Sequence, residues 1–400
     1  MSTLSIVGGG MGDTLYLTGE AKEAIAGAAL AYATPRLARE LAAEYPHVRS
    51  AGYKEILAAL ETDTPQDTAV VVSGDTGFHS LARTLTRRLG SRYRIRQIAG
   101  VSSLQMLCAR LGIGYEDIKV VSTHGRSASV LGAASYHQRV FVLTGGGEDT
   151  RRILSELCGA GLGDLEVWAA QNLGAPDEQI SHGTPASLEG AAFGELVVLL
   201  LCNPGAVNPQ ARLADADFMR GKTPMTKEAV RVLSVNRLAV EPGDVVYDIG
   251  AGTGSVSVAL ARAARDGVVY SIERDAEALE LLGVNRTALG ACNLLVVEGE
   301  APGALAGLPP PRRVFIGGSG GKLWKIITLL TEKSPDFTLC INAITLETLG
   351  EALNCLEKWG FSQIEVECVN IAGARQAGEY HMMSAQNPVY IISGRWTASR

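Results

Sequence analysis

Asp248 is followed by three alternate glycines, Gly250, Gly252 and Gly254. It closes an apolar run that begins at Val245, and an apolar-periodic segment starts at Val256. This reads as strand, glycine turn, helix. Glycine lets the backbone come close to a ligand, and a helix N-terminus offers free N–H groups. The dinucleotide fingerprint needs a third glycine three residues after a Gly-x-Gly pair. Here that position holds Ser255 or Ser257, so the fingerprint fails. Glu273 ends the next apolar run, Val268 to Ile272, 19 residues beyond Gly254. A carboxylate at a second strand's tip accepts two hydrogen bonds and so suits a ribose diol. A second constellation is His124 with Arg126 on one strand-end turn. His124 titrates near neutrality and could move a proton, while Arg126 could clamp a carboxylate; the alternative is a packed turn with a solvated arginine. The densest basic run is Arg83, Arg87, Arg88, Arg92, Arg94 and Arg96. It reads as a solvated face, with substrate carboxylates as the second reading. His381, Met382 and Met383 read as structural.

The elements that position these residues alternate. In the first half the expected strands are Leu4 to Val7, Val70 to Ser73, Arg94 to Ile98, Lys119 to Ser122, Arg139 to Leu143, Val167 to Ala170 and Glu195 to Leu201. Most end in a glycine or small polar turn, with helical stretches between, which describes α/β layers with ligands at the carboxyl ends of strands. Asn203 to Lys222 breaks the pattern and reads as a linker (206–221) between domains 1–205 and 222–400. Thr226 is the expected N-cap of the helix that follows. Five strand-and-turn units come after it, and the runs Ile364 to Val369 and Val389 to Ile392 complete a seven-stranded sheet.

The chain has 400 residues, 46% apolar and 20% charged, enough for two or three cores. A net charge of −6 argues against a general nucleic-acid binder. Seven scattered cysteines with no Cys-x-x-Cys pair offer no zinc or redox motif and suit a reduced, cytoplasmic chain. The longest aliphatic run, Leu196 to Leu201, is too short to span a bilayer, and no signal peptide opens the chain.

Asp-x-Gly-x-Gly-x-Gly resembles the first motif of class I S-adenosylmethionine (SAM) methyltransferases. The first half resembles the tetrapyrrole methylases, or class III methyltransferases, over residues 1 to about 202. The matching residues are Gly8, Gly10, Gly12 and Asp13, then Gly74 and Asp75, Gly100 to Ser103, Thr123 to Arg126, and Asn172 to Gly174 with Glu178. The family usually has proline where Met11 and Thr76 stand. The second half is similar, over about 222–394, to the precorrin C15-methyltransferase/decarboxylase subunits. It shares Met225 to Glu228, Asp248 to Gly254, Glu298 to Pro302, Gly317 to Gly321, and Met382 with Met383. An arginine common in that family is replaced by Gly373, and Arg375 matches a second one.

In this order the halves resemble the fused precorrin C5,15-methyltransferases (decarboxylating) of cobalamin synthesis. The resemblance implies a two-subdomain tetrapyrrole methylase fold followed by a class I Rossmann-like sheet. It implies SAM contacts at Gly8, Gly10, Gly12, Gly74, Asp75, Thr76, Ser102, Ser103, Thr144 and Leu173. In the second half the implied SAM contacts are Thr226, Gly250, Ala251, Gly252, Thr253, Gly254, Glu273, Glu300 and Ala301. Ser319, Asn342 and Arg375 are expected to meet the tetrapyrrole, and His124 and Arg126 to act in C5 methylation. No metal, nucleic-acid or membrane partner is expected, and a homo-oligomer is. Two rival readings stand beside this. One is an N-methyltransferase, from Asn387 to Tyr390, although such a box belongs after the fourth strand. The other is a chain in which one half only binds or scaffolds.

Overall fold

The computed structural model describes residues 2–123 and 129–398. His124 and Arg126 lie outside them.

The first sheet contains β1 (Thr3–Gly8), β2 (Leu30–Ala33), β3 (Val48–Ser50), β4 (Thr68–Val72) and β5 (Arg94–Ile98), in the order β3-β2-β4-β1-β5. All its pairings are parallel. Successive side chains of a strand face opposite sides, and here helices cover both sides. Ile6 and Val7 accordingly point into two different cores and are both 0% exposed. The second sheet contains β6 (Lys119–Ser122), β7 (Arg139–Leu143), β8 (Glu166–Gln171), β9 (Gln179–Gly183) and β10 (Val197–Cys202), in the order β6-β7-β10-β8-β9. It is mixed: β6 and β7 run parallel, while β10 lies antiparallel to β7 and β8.

The third sheet contains β11 (Val245–Ile249), β12 (Val268–Glu273), β13 (Leu294–Glu298), β14 (Arg313–Ile316), β15 (Asp336–Ala343), β16 (Ser362–Val369) and, beyond a hairpin, β19 (Val389–Thr397). The order is β13-β12-β11-β14-β15-β19-β16. This is the expected seven-stranded sheet, with β19 antiparallel between β15 and β16. The hairpin is β17 (Ala372–Ala377) with β18 (Tyr380–Ala385) and projects from the sheet. Met382 and Met383, read from the sequence as structural, are 55% and 67% exposed on it.

The expected linker is a strap packed on the third sheet's helices. Arg262 donates to the carbonyl of Ala211 at 3.0 Å, and the Asn285 side chain bonds both the N–H and the C=O of Met219. Arg231, 1% exposed, draws the strap inward. Its guanidinium donates to the carbonyls of Leu213 (2.6 Å) and Thr226 (3.0 Å), meets Asp215 at 3.3 Å and lies over the Phe218 ring. The strap also corrects the expected helix cap. The helix Glu228–Leu238 starts after Lys227, and its first N–H is taken at 2.8 Å by Asp215, so Thr226 is left outside the cap. A cap supplied from 13 residues upstream leaves no local motif to read.

The halves meet through the helix Val130–Tyr136. The Tyr136 hydroxyl donates to Asn293 Oδ1 at 3.0 Å, and Asn293 Nδ2 donates to the carbonyls of Ala261 and Ala264. Lys119 pairs with Asp266 at 2.8 Å. Gly132 lies so close to the Arg265 carbonyl that any side chain there would collide with it.

Candidate functional site

Two clefts gather expected site residues. The first, about 800 Å³, lies between the first two sheets at the carboxyl ends of β4, β6, β7 and β8. Among the expected residues, Gly74, Thr76, Ser103, Thr144 and Leu173 line it. Its floor is apolar, with Phe78, Leu143 and Val198, and its rim carries Arg36, Arg83 and Glu195. Gly8, Gly10, Gly12, Asp75 and Ser102 are not on its wall; they build the support behind it. A Cβ on Gly8 would sit 2.5 Å from the backbone N of Gly100. Gly10, at φ +56°, exchanges two backbone hydrogen bonds with Gly74. Asp75 ties Gly77 N–H (2.8 Å) and Gly100 N–H (3.0 Å) together, and Ser102 caps the helix Ser103–Leu111. These glycines and polar groups hold the loops that form the wall. Sequence reading cannot separate the two uses, because a glycine needed for close packing and one needed for a ligand look alike.

Ser122 lines this cleft, and Thr123 beyond it is the last residue described before His124. Thr123 donates to Asp149 at 2.5 Å, and the same Asp149 oxygen takes Gly145 N–H at 2.8 Å. Asp149 was not singled out from the sequence; its only signal is an acidic residue in the first turn of a helix after a glycine run.

The second cleft, about 220 Å³, lies at the carboxyl ends of β11, β12, β13 and β14 and is lined by Gly250, Glu273, Glu300, Ala301 and Ser319, among others. Gly250, Gly252 and Gly254 have φ of +72°, +56° and +78°, where a side chain is strained. A Cβ on Gly250 would fall 2.6 Å from the Gly318 carbonyl, so two glycine turns pack backbone to backbone. Gly252 is less crowded; its nearest neighbours are the strap's end, Pro224 and Thr223, at about 3.5 Å. Ala251 follows Gly250 in this turn, Thr253 is 1% exposed within it, and Thr226 touches it through a carbonyl that accepts from Ser255 at 3.3 Å.

Glu273 stands at the expected strand tip, and much of its carboxylate is already engaged. It accepts from Gly252 N–H (2.8 Å), Arg274 N–H (2.8 Å) and Asp275 N–H (2.9 Å). A carboxylate has about four lone-pair positions, so one direction stays open toward the cleft. Glu300 is held by Lys322 and by Arg274, and the Lys322 hydrogen bond depresses its pKa.

Ser319, expected at the tetrapyrrole, lines the same cleft as the expected cofactor residues. Asn342 lines neither cleft and sits against Ser234 at 3.0 Å. Arg375 is exposed on the hairpin, also outside both clefts. Arg375 was a motif match and Asn342 a strand-end residue, and neither has a packing signal in the sequence to place it.

Two family descriptions match the chain: Tetrapyrrole (Corrin/Porphyrin) Methylases over residues 3–189, and Precorrin methyltransferase domain over residues 217–396. A Sinorhizobium precorrin-6Y C(5,15)-methyltransferase [decarboxylating] is 29% identical over 91% of this chain and 90% of its own. A probable cobalt-precorrin-6B C(15)-methyltransferase (decarboxylating) of Saccharolobus solfataricus is 38% identical over 43% of this chain and 88% of its own. Among solved structures, a precorrin-6y C5,15-methyltransferase from Geobacter metallireducens is 37% identical, with a TM-score of 0.44, covering 46% of this chain and 97% of its own. With a match across both halves and a close relative of the second one, the chain belongs to the precorrin C5,15-methyltransferases (decarboxylating), a tetrapyrrole methylase fused to a precorrin methyltransferase.

Proposed function

We propose that this chain methylates a precorrin at C5 in its first half and at C15 in its second, and releases CO2 from the C12 acetate arm, giving precorrin-8. The observation that carries the reading is the pair of clefts, one between the first two sheets and one at the carboxyl ends of the third, each lined by residues that the resemblance assigns to SAM. SAM supplies an electrophilic methyl on a sulfonium at both.

The residues present suit that donor. In the second half three glycines of the Gly250–Gly254 turn carry no side chain, the Thr253 side chain is buried, and the open lone pair of Glu273 can accept from a ribose hydroxyl. Thr76, Ser103 and Thr144 offer hydroxyls on the wall of the first cleft. The protein's task is to align donor and carbon and to exclude water. A meso carbon beside a pyrrole nitrogen behaves as an enamine. With SAM bound beside it, that carbon's electron pair would take the methyl and the methyl–sulfur pair would remain on sulfur. In decarboxylation the C–C pair flows into the protonated conjugated ring as CO2 leaves. His124 and Arg126 are the residues proposed to shuttle the proton and hold a carboxylate in the first half.

The same reading places the chain in the cytoplasm and expects copies to associate, which light scattering on the purified chain tests. Among the described residues, no helix is long and apolar enough to cross a membrane. The main test is incubation with SAM and precorrin-6B followed by mass spectrometry. Two methyl gains and one CO2 loss are expected. A single methyl gain without CO2 loss would favour a chain with one catalytic half.

A further inference from the structure

The basic run Arg83 to Arg96 divides in the structure. Arg88 pairs with Glu61, Arg96 with Glu20, and Arg92 donates to the Asp63 carbonyl. Arg87 stays on the open helix face. Arg83 alone of the six lines the first cleft. The other arginine there, Arg36, is occupied: it donates to both Glu40 oxygens at 3.1 Å and to Ser73 at 3.0 Å. Arg83 has neither an ion pair nor a hydrogen bond among the described residues. It also occupies the first turn of the helix Ala82–Leu89, the end where the helix dipole disfavours a cation. An exposed arginine against the dipole, on the rim of an apolar-floored cleft, gains nothing from the fold.

We propose that Arg83 is a substrate-anchoring residue of the first half, holding one carboxylate arm of the ring while the apolar floor takes the ring face. This rests on the functional reading above. The test compares Arg83→Ala, Arg83→Lys and Arg87→Ala in the full chain. For Arg83→Ala the KM of the ring in C5 methylation is expected to rise about tenfold, the scale of one charge-assisted contact. Its kcat, its SAM affinity by calorimetry and C15 methylation should hold. Lysine should restore part of the KM, and Arg87→Ala should change nothing. An unchanged KM, or an equal effect from Arg87→Ala, overturns the assignment. Both methyl gains, seen in the same assay with the parent chain, would keep the functional reading standing in that case.

A different observation carries a second inference. The ion pair and the hydrogen bond that join the halves lie at the amino ends of strands. Lys119 starts β6, Asp266 and Asn293 precede β12 and β13, and Tyr136 ends its helix just before β7. Both clefts lie at the opposite, carboxyl ends. β12 has six residues and β7 five. At about 3.3 Å per residue, about 20 Å of β12 and about 17 Å of β7 therefore lie between the joint and each cleft. From this separation of joint and clefts we infer that the singly methylated ring leaves one half and enters solution before the other half takes it up.

Isotope dilution tests this on the intact chain. The ring substrate is labelled, and an excess of unlabelled singly methylated ring is added, made by a Gly250→Val or Gly74→Val chain. Release predicts that label in the doubly methylated product falls in proportion to the excess. Undiluted label overturns it. The two methyl gains and one CO2 loss would be seen either way, so failure of this inference reads differently from failure of the activity.

Discussion

Asp248 offers the sharpest test of how the second half is built. Its side chain is 0% exposed beneath the glycine turn. One oxygen accepts from Ser257, while the other has no partner, nor does the hydroxyl of Ser271, its register neighbour on β12. Burial raises the pKa from 3.8 to about 7, the Ser257 bond opposes the rise, and the charge of Glu273 adds to it. The unfolded chain ionises this group near pH 4, the folded chain only near 7. Its contribution to stability is therefore full below about pH 4, falls as pH climbs to 7, and is flat above. At 1.36 kcal/mol per unit, a gap of about three units is worth about 4 kcal/mol, the largest effect expected. Asp248→Asn keeps an oxygen for Ser257 and has no charge to lose. Its stability relative to the parent should rise with pH, by about 2–3 kcal/mol between pH 5 and 7, and level off beyond. Urea unfolding followed by tryptophan fluorescence reads this half, since Trp324, Trp359 and Trp396 lie in it and only Trp168 in the other. Subtracting the parent removes groups such as Glu300, whose depressed pKa acts in the opposite sense, its stability being lost as pH falls. A difference that stays constant across pH, or grows toward acid, would refute the reasoning.

Gly250→Val drives a side chain into the Gly318 backbone at φ +72°; calorimetry should then count one SAM site per chain where the parent has two. Arg231→Met frees the strap end that covers Gly252, so SAM should bind more weakly in the second half alone, with Arg231→Lys recovering part of the loss. Tyr136→Phe leaves Asn293 Oδ1 buried without its donor. It should cost about 1–3 kcal/mol at the joint, seen as separate urea transitions for the two halves.

Most of the parallel strands were legible as short apolar runs ending in a small or glycine turn, as at Val245–Ile249 or Arg139–Leu143. β2 and β3 were not: the first is four residues inside an alanine-rich stretch, and the second is three. β9 is an edge strand with a polar sequence, so it carries no apolar run. The strap misled for a related reason. Its asparagines, prolines and glycines describe its local backbone well, and its order comes from Arg231, Arg262 and Asn285, which stand in other elements.

The candidate sites divide along the same line. The residue types that could meet a ligand were found, and the groups that aim them were not. Glu273 was legible at its strand tip, but it also takes Gly252 N–H from the glycine turn and the N–H groups of Arg274 and Asp275 just after it, so the carboxylate shapes both loops as well as facing the cleft. Asp75 does the same for Gly77 and Gly100, and Asp149 for Thr123 and Gly145. In each case an acidic side chain takes the N–H of a glycine, Gly252, Gly77 with Gly100, or Gly145, and ties that glycine's turn to a second segment. Neutralising any of the three should therefore loosen a turn before it removes a ligand contact. Loss of SAM affinity in such a variant would come with faster amide exchange in that turn, whereas loss of a ligand contact alone would leave the exchange of the empty chain unchanged.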